Sequence, residues 1–533
     1  MAPVVPMVTN VSGLFLGVIT DSYKLGHPDL FPVNMCKGVA HASCRAGFPL
    51  ADGSHDRVDT RVVAYGVNDI VDRYLTRQWT HADVDQLSAL YDQHNVGNTP
   101  YPYPKDLFHA FIDDENNGFF PVKIEALPDG TVVNARVPIY QITAEGKYAK
   151  LATFLESLLT MSWYQTTVAT LSSRIYDVLK RFYDLTVDEV EIDGKMVTTP
   201  FIGYGLHDFG LRACTGVEQA ELGGEAHQTR FCGSDNIPAI RRVMNKNGGV
   251  VIAVSVPATE HSVMTAFQDE IDAVLHAIEM FGHGVISIVA DSYDLDYFLE
   301  VILPAVYARM LAKGGKLVVR PDSGDRVQSI MKCMHALAAT FGYTVNKKGF
   351  KVLKGCGVLQ GDGIDIYDMD TILEAMRAAK FSAVNIVFGM GGGLLHRINR
   401  DSLSHATKLA YAETVDADGN VTAFPTMKDP KTDPLKVSMP GVLAVCTNDT
   451  GTPMVYPAHR APAGKENLLK VIYDHGKPVT VQKRLFSQVR TDVATNWASV
   501  PPGANPISSE MEEEILACRL ARLARLAKRA RIN

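Results

Sequence analysis

The chain has 533 residues, 46% of them hydrophobic, with 27 prolines and 42 glycines; this is an ordinary composition for a globular α/β protein and unlike that of a disordered or fibrous chain. The length suits two domains with an appendage better than one core. A formal net charge of −7 excludes bulk nucleic-acid binding by the globular body, because a surface that tracks phosphates needs a positive excess; any anion site has to be local. Eight cysteines are scattered without CxxC or His/Cys spacing, so neither a zinc site nor a disulfide framework is expected, and the default setting is reducing and cytoplasmic. The first twenty residues carry no charge, but they lack a basic leader, Pro3 and Pro6 interrupt them, and no run is long enough to span a bilayer, so no membrane partner is expected.

Residues 1–12 read as a loose arm, and GLFLGVIT (13–20) reads as a strand ending at Asp21-Ser22-Tyr23-Lys24. Residues 58–93 are helical in pattern, and Asn95 to Pro104 is a loop by its Pro, Gly and Asn content. Residues 120–145 alternate as strands, with Pro128-Asp129-Gly130 as a hairpin turn, before a helical stretch from Tyr148 to about Leu185. Strand–helix alternation begins at Tyr204. Five apolar runs then each stop at a polar or glycine cluster: VVIAVSVP at Glu260-His261-Ser262, VISIVA at Asp291, KLVVR at Pro321-Asp322-Ser323-Gly324, GVLQ at Gly361-Asp362-Gly363, and AVNIVF at Gly389-Met390-Gly391-Gly392-Gly393. After about Thr407 irregular strands return, with a turn at Asp416 to Asn420 and a late strand at Pro478 to Phe486, and Pro501 to Pro506 closes the globular part. In the last segment Ser509 and Glu512 have capping-box spacing, Glu510, Glu512, Glu513 and Glu514 crowd the helix start, and Leu516, Leu520, Leu523, Ala527 and Ala530 form one stripe with Arg519, Arg522, Arg525 and Arg529 on another. This is an amphipathic helix with a basic C-terminal half, expected to dock on the body by its leucines.

Val- and Ile-rich runs of four to eight residues separated by helix-length stretches indicate buried parallel strands, and in a parallel α/β barrel the chemistry sits at the strands' carboxyl ends. Those ends here carry an imidazole, carboxylates, arginines and a glycine loop, a set suited to a phosphate-bearing substrate. In Arg320-Pro321-Asp322-Ser323-Gly324, proline fixes the exit angle and Asp322 can accept from sugar hydroxyls or hold Mg²⁺ through water. The Gly391-Gly392-Gly393 amides at a helix start can bind phosphate, although neither a Walker loop nor GxGxxG spacing is present. His261 is a candidate acid/base or phosphoryl acceptor, with Asp291 at the next strand end available to fix its tautomer. In His207-Asp208-Phe209-Gly210-Leu211-Arg212 and Gly233-Ser234-Asp235, Phe209 can stack on a flat ring, Arg212 can bind phosphate and Asp235 can accept from an amide; core packing and helix capping are the competing readings.

Taken in order, Asp21-Ser22-Tyr23-Lys24 with His27, Glu156-Ser157 through Ser162-Trp163-Tyr164 to Thr170, HDFG with Arg212, Gly233-Ser234-Asp235, Ser255-Val256-Pro257-Ala258 with Glu260-His261-Ser262, Asp291-Ser292-Tyr293-Asp294, RPDSG, QGDG and the glycine loop resemble the nicotinamide phosphoribosyltransferase family, from about Gly13 to about Val500. The resemblance implies a type II phosphoribosyltransferase: an irregular α/β barrel (148–407) with a second α+β domain from early and late chain (46–147 and 408–500), an N-terminal segment (13–45) reaching the active site, and the amphipathic basic helix (507–533) as an addition without a familiar counterpart. It implies transfer of 5-phosphoribosyl from PRPP to nicotinamide with Mg²⁺, ATP hydrolysis through a phosphohistidine, and a homodimer with shared active sites. Carried over by position, His261 is the phosphorylated histidine, acting with Asp291 and Asp322. Tyr23 and Phe209 sandwich the pyridine ring, the tyrosine coming from the other subunit, while Asp235 reads the carboxamide and Arg320 lies beside it. Arg212, Gly361, Asp362, Gly391, Gly392, Arg400 and Lys408 surround ribose, phosphate and pyrophosphate; Arg45, Lys428 and Lys436 approach the polyphosphate from the partner subunit; Asp322 and Asp362 are the Mg²⁺ candidates. Leu211, Val254 and an insert near Glu191 to Thr199 depart from the family pattern.

Three other readings compete. A nicotinate-specific relative would set its substrate's carboxylate against Asp235. An isomerase or lyase barrel would need a strand-end lysine or a clear base, which is not found. A non-catalytic scaffold acting through the C-terminal helix would have had no reason to keep His261, Asp291, Asp322 and the glycine loop together.

Overall fold

Short runs of Val, Ile and Leu, buried on both faces, build a six-stranded parallel sheet in this computed structural model, which describes residues 16–49, 58–97, 99–192, 195–197, 201–433, 436–477, 479 and 484–530. Across the sheet the strands run Gly233–Ser234, Leu206–Asp208, Ile386–Met390, Cys356–Gln360, Lys316–Arg320 and Val285–Val289, every pairing parallel. Crossover helices such as Glu270–Phe281, Arg326–Phe341 and Ile366–Ala378 return the chain between strands. The sheet curls until both edges meet one segment. Val254 bridges Gly233 on one edge and Ala258 bridges Ser287 on the other, with the Val254 N–H bonding Cys232 O at 2.7 Å and the Ser287 N–H bonding Pro257 O at 2.9 Å. The run VVIAVSVP, expected as a regular strand, therefore closes the ring at two points only. Pro257 supplies no N–H, so a continuous ladder cannot run through it.

A second sheet is antiparallel throughout and interleaves early with late chain: Val421–Pro425, Ala406–Val415, Met35–Ser43, Pro138–Glu145, Lys123–Ala126 and Lys470–Asp474. Each sheet has its own hydrophobic core. Leu151 to Leu159 belong to the antiparallel sheet's core and Tyr164 onward to the barrel's, which also takes Val63, Tyr65 and Val132 from the early chain. The late helix Phe486–Ser499 sends Phe486, Val489, Val493 and Trp497 into the barrel's core, although its sequence position grouped it with the other sheet.

Other local expectations differ as well. Leu16–Val18 forms a 3₁₀ turn where a strand was expected, and residues 13–15 lie outside the described residues. The stretch 58–93 starts with two short strands, Val58–Asp59 and Arg61–Val63, before the helices Val67–Tyr74 and His81–Tyr91; Val58, Thr60, Val62 and Val63 are β-branched and favour the extended start. The Pro128–Gly130 turn forms, with the Thr131 N–H bonding Pro128 O at 3.0 Å and Gly130 at φ +90°. It does not make a hairpin, because Lys123–Ala126 pairs with Pro138–Glu145 while Val132–Asn134 pairs with Arg61–Val63. Most of the late strand expected at 478–486 lies outside the described residues, and Phe486 begins a helix.

The C-terminal helix spans Ser509–Ala530. Its cap is Ser508, whose Oγ accepts from the Met511 N–H at 3.1 Å, one residue earlier than the Ser509/Glu512 spacing suggested. Met511 and Ile515 are buried in the antiparallel sheet's core, and Arg519 pairs with Asp429 at 3.0 Å. The leucines expected to dock instead face outward: Leu516, Leu520 and Leu523 are 55%, 56% and 60% exposed.

A buried ion cluster joins the barrel's long helix Trp163–Thr186, the early strands and the late helix. The Arg61 guanidinium donates to Asp59 at 2.6 Å, to Asp177 at 2.7 Å and to the Trp497 carbonyl at 2.7 Å, and stacks 4.0 Å from the Trp497 ring. Asp59 is fully buried. Removing one partner of such a cluster strands a desolvated charge, so Arg61→Ala is expected to destabilise the protein by about 3–5 kcal/mol. Chemical denaturation checks this; a loss below about 1 kcal/mol would mean that Arg174 alone compensates the carboxylates.

Candidate active site

Every parallel strand delivers its carboxyl end to the same rim, and there the two halves of the site assemble. The first half follows Leu206–Asp208 and Gly233–Ser234. The Asp208 carboxylate ties these neighbours together, accepting from the Gly210 N–H at 2.7 Å and the Asn236 side-chain amide at 2.9 Å, while its carbonyl accepts from the Asp235 N–H at 3.1 Å. Burial pushes the Asp208 carboxyl up to about 6. This tie holds Phe209 and Asp235 at one mouth of the site. Asp208 falls within the HDFG string, but sequence gave no sign that it, rather than His207, would join the two loops.

Phe209 sits where two glycines make room. A Cβ on Gly389 would lie 2.1 Å from Phe209 Cε2, and one on Gly361 would lie 3.2 Å from the same atom. The Phe209 N–H bonds the Met390 carbonyl at 3.1 Å. The first glycine of QGDG and the glycine ahead of the Gly391–Gly393 loop thus serve close approach of an aromatic ring, a role not read from the sequence. Asp235 accepts a hydrogen bond from Ser255 Oγ.

The second half follows Ala258, Val285–Val289 and Lys316–Arg320. His261 Nε2 lies 3.3 Å from Asp322 Oδ2 and its Nδ1 lies 3.2 Å from Ser292 Oγ. The carboxylate on the imidazole is therefore Asp322, where the sequence suggested Asp291. Asp291 acts one layer away, its Oδ2 accepting from the Asp322 N–H at 2.8 Å and from Ser323 Oγ, which pins the Pro-Asp-Ser-Gly loop. Its other oxygen, Oδ1, is buried and has no hydrogen-bond partner. Arg320 donates to the Thr259 carbonyl at 3.0 Å and stands 3.8 Å from Asp322. Glu270, the first residue of its helix, is a further acid here that was not legible in the sequence. Burial, then Asp291, raise its pKa, and His261 opposes them.

Phe209, Arg212, Asp235, Ser255 and Arg320 line one end of a cavity of about 920 Å³ that continues down the barrel to Val285, Lys316 and Ile386 at the strands' starts. The departures Leu211 and Val254 sit at this mouth, Leu211 on the lining and Val254 46% exposed beside it. Part of the insert near Glu191 forms a small hairpin, Val190–Ile192 with Lys195–Val197; residues 193, 194 and 198–200 lie outside the described residues.

Of the remaining candidates, some lie away from the cavity and others at the rim. Tyr23 is 54% exposed, its ring 5.3 Å from His27, and it does not line the cavity. Lys24 and Lys408 both reach Glu156, and Lys408 shares a small cleft with Arg45, His41 and Arg136. The Arg45 Nε donates to the Ser404 carbonyl at 3.2 Å, close to Arg400, which pairs with Asp401 at 3.1 Å. Lys428 and Lys436 are both exposed, Lys436 pairing with Asp433 at 2.9 Å. Asp362 follows Gly361 at the rim, its N–H donating to Gln360 Oε1 at 3.1 Å. Gly391 and Gly392 open the short helix Gly392–Leu395, and a Cβ at Gly391 would lie 3.2 Å from the Phe209 carbonyl.

Residues 204–475 match the model of the nicotinate phosphoribosyltransferase family, and residues 15–124 match that of the nicotinamide phosphoribosyltransferase N-terminal domain. A nicotinamide phosphoribosyltransferase of Xanthomonas campestris is 33% identical over 432 residues, covering 80% of this chain and 86% of its own, and one of Acinetobacter baylyi is 28% identical over 465 residues, covering 81% and 88%. Among solved structures, human nicotinic acid phosphoribosyltransferase shares the fold with a TM-score of 0.55 at 17% identity over 93% of this chain and 99% of its own. Nicotinate-nucleotide pyrophosphorylase from Pyrococcus furiosus does so with a TM-score of 0.56 at 15% identity over 92% and 98%.

The glycine seat for Phe209 yields a test. Gly389→Ala is expected to push the ring off its position and weaken a flat ligand stacked on it by about tenfold, whereas Gly392→Ala, whose Cβ would be 4.0 Å from its nearest neighbour, leaves the ring alone. Calorimetric titration of both variants decides it, and equal affinities would show that Phe209 does not carry the stack.

Proposed function

Because the chain belongs to the nicotinate phosphoribosyltransferase family, we propose that it works as a nicotinamide phosphoribosyltransferase, transferring 5-phosphoribosyl from PRPP to nicotinamide to give nicotinamide mononucleotide and pyrophosphate in NAD salvage. The observation that carries the choice of base is Asp235, a carboxylate at the cavity mouth on the same tie that holds Phe209. A carboxamide can donate its N–H to this acid; a nicotinate carboxylate in the same place meets like charge. Phe209 offers one face of the ring sandwich, and Arg320 offers a donor beside it.

The transfer breaks the bond between the anomeric carbon and the pyrophosphate oxygen while the pyridine nitrogen forms a new bond to that carbon. Positive charge grows on the ribose and negative charge on the leaving group, so this chain's task is to align the two partners and to neutralise pyrophosphate. Arg212, Arg400, the Gly361-Asp362 turn and the Gly391–Gly392 amides are the proposed phosphate contacts. Mg²⁺ fits the acidic corner, because Asp291 Oδ1 is buried without a partner beside Asp322, and one or two carboxylates with substrate phosphates suffice for this ion. Asp322 is the ligand proposed there with Asp362; bound Mg²⁺ would screen charge on the departing pyrophosphate.

ATP is the proposed co-substrate. His261 takes its γ-phosphoryl group on a ring nitrogen as ADP leaves, and Asp322, 3.3 Å away, holds the imidazole for this step. A homodimer with shared sites is part of the same reading: Tyr23, Arg45, Lys428 and Lys436 stand apart from the cavity in one chain and would complete it from a second. The two-domain division and a cytoplasmic location go with it; among the described residues no helix is long and apolar enough to cross a membrane.

The deciding measurement incubates the protein with PRPP, Mg²⁺ and either base and follows pyrophosphate. Nicotinamide is expected to be preferred, and Asp235→Asn to narrow the gap by removing like-charge repulsion while keeping a polar group. Equal kcat/KM for the two bases in the unmutated protein would overturn the assignment of the base. His261→Ala is expected to abolish ATP hydrolysis and yet leave some PRPP-dependent transfer, since the imidazole forms no bond to ribose. Undiminished ATP turnover in that variant would remove His261 from the phosphoryl step.

A further inference from the structure

The C-terminal helix leaves a face uncovered. Its inner side is held to the body by Met511 and Ile515, by Glu513 to Arg460 at 2.7 Å and by Arg519 to Asp429 at 3.0 Å. The opposite side carries Leu516, Leu520, Leu523 and Ala527, spaced four, three and four residues apart, which is the seam spacing of a two-helix coil. Ala517, Ala521 and Ala524 run alongside, small enough to let another helix approach closely. The three leucines are each more than half exposed, and so is Leu526 at 53%. An apolar line of this kind on an anchored helix is a contact surface awaiting a partner.

Charge along the helix selects the partner. The first turns hold Glu510, Glu512, Glu513 and Glu514, and everything charged from Arg519 through Lys528 is basic. Two such helices laid parallel would set acid against acid and base against base. Laid antiparallel, they bring Lys528 of each helix beside Glu514 of the other, and the leucine seam stays in register, Leu520 opposite Leu523 and Leu516 opposite Ala527. An anionic lipid surface suits the face poorly, because the acidic turns flank one end of the seam and Arg519 and Arg522 lie toward the body side. We propose that the seam is covered by the same helix of a second copy of this chain, the two related by a two-fold axis near residues 521 and 522. Such a contact is isologous, using one patch on both copies. It is short, so it acts where another contact already raises the local concentration of the second helix, and it does not depend on which reaction the barrel performs.

Cysteine cross-linking on the full chain in a Cys518→Ser background tests the arrangement. A mixture of Leu516→Cys and Ala527→Cys proteins is expected to form a reducible cross-link under mild oxidation, while Leu516→Cys alone is expected to form little, since antiparallel pairing keeps the two 516 positions apart. Adding Leu520→Lys and Leu523→Lys, which are exposed helix positions that leave the fold alone, is expected to remove the cross-link and to lower the mass or self-affinity seen in sedimentation. Efficient cross-linking of Leu516→Cys by itself would overturn the antiparallel geometry. Absence of any cross-link, or sedimentation indifferent to the lysine pair, would overturn self-pairing. Co-sedimentation with phosphatidylserine vesicles that is lost in the lysine variant would assign the face to a membrane and equally overturn the proposal.

Discussion

Parallel pairing is the constraint on which the rest of this structure depends. Strands that all run one way must all end on one rim, and loops as short as Pro321–Gly324 or Gly361–Gly363 then have no choice but to present their side chains to a common space. Phe209, Asp235, His261, Asp291 and Asp322 come from five separate stretches of chain, yet meet because the ladder fixes each strand's end. The ring is weakest where Pro257 interrupts it, and there Thr259 substitutes for a ladder: its Oγ1 accepts from the Val289 N–H at 3.0 Å and its carbonyl accepts from Arg320. The same few hydrogen bonds thus close the barrel and orient an arginine at the mouth.

Two devices let a protein of net negative charge hold a polyanion. Basic side chains are concentrated locally, and acids near them are occupied with structural tasks. Asp291 pins the Pro-Asp-Ser-Gly loop, Asp208 joins two neighbouring loops, and Glu156 receives Lys408 from the second sheet and Lys24 from the turn Ser22–Gly26. Asp208 pays for its position with partial neutralisation, since its burial favours the protonated acid. An acid this deep is tolerable because each of its oxygens accepts a hydrogen bond.

The fold was legible from the sequence to the extent that it rests on periodicity. Val285–Val289, Lys316–Arg320 and Cys356–Gln360 are buried on both faces and read as continuous apolar runs, so strands and rim residues could be named together. Features that depend on distant contacts were not legible. The Pro128–Gly130 turn carries hairpin chemistry but serves strands in two different sheets, and Trp497, far along the chain, joins the barrel through Arg61. In the site, residue types at strand ends pointed to His261, Asp322 and Asp235, but pairings did not follow: Asp322 took the place expected for Asp291 because the carboxylate nearer in sequence is already committed to the Asp322 N–H and the Ser323 hydroxyl. The glycines at 361 and 389 carried a double meaning, since a sequence does not distinguish room for a phosphate from room for an aromatic ring. On the C-terminal helix, hydrophobic stripes on two faces compete for the core, and Met511 with Ile515 won because they sit nearest the anchoring Ser508.

In the function proposed for this chain, local charge rather than fold sets the choice of base. The barrel, the rim and the glycine seat for Phe209 serve either base, since both present the same flat ring and the same attacking nitrogen. Their difference is one substituent: an amide that donates and accepts, or a carboxylate that only accepts and carries charge. In the proposed reading position 235 decides between them, because a carboxylate there would be rewarded by an N–H and penalised by a second carboxylate; its hydroxyl neighbour Ser255 donates to it. Asp208 fixes where that acid stands through the Asp235 amide. On that reading specificity sits on a loop whose geometry is set by the buried Asp208, and the architecture beneath it need not change for the preference to change.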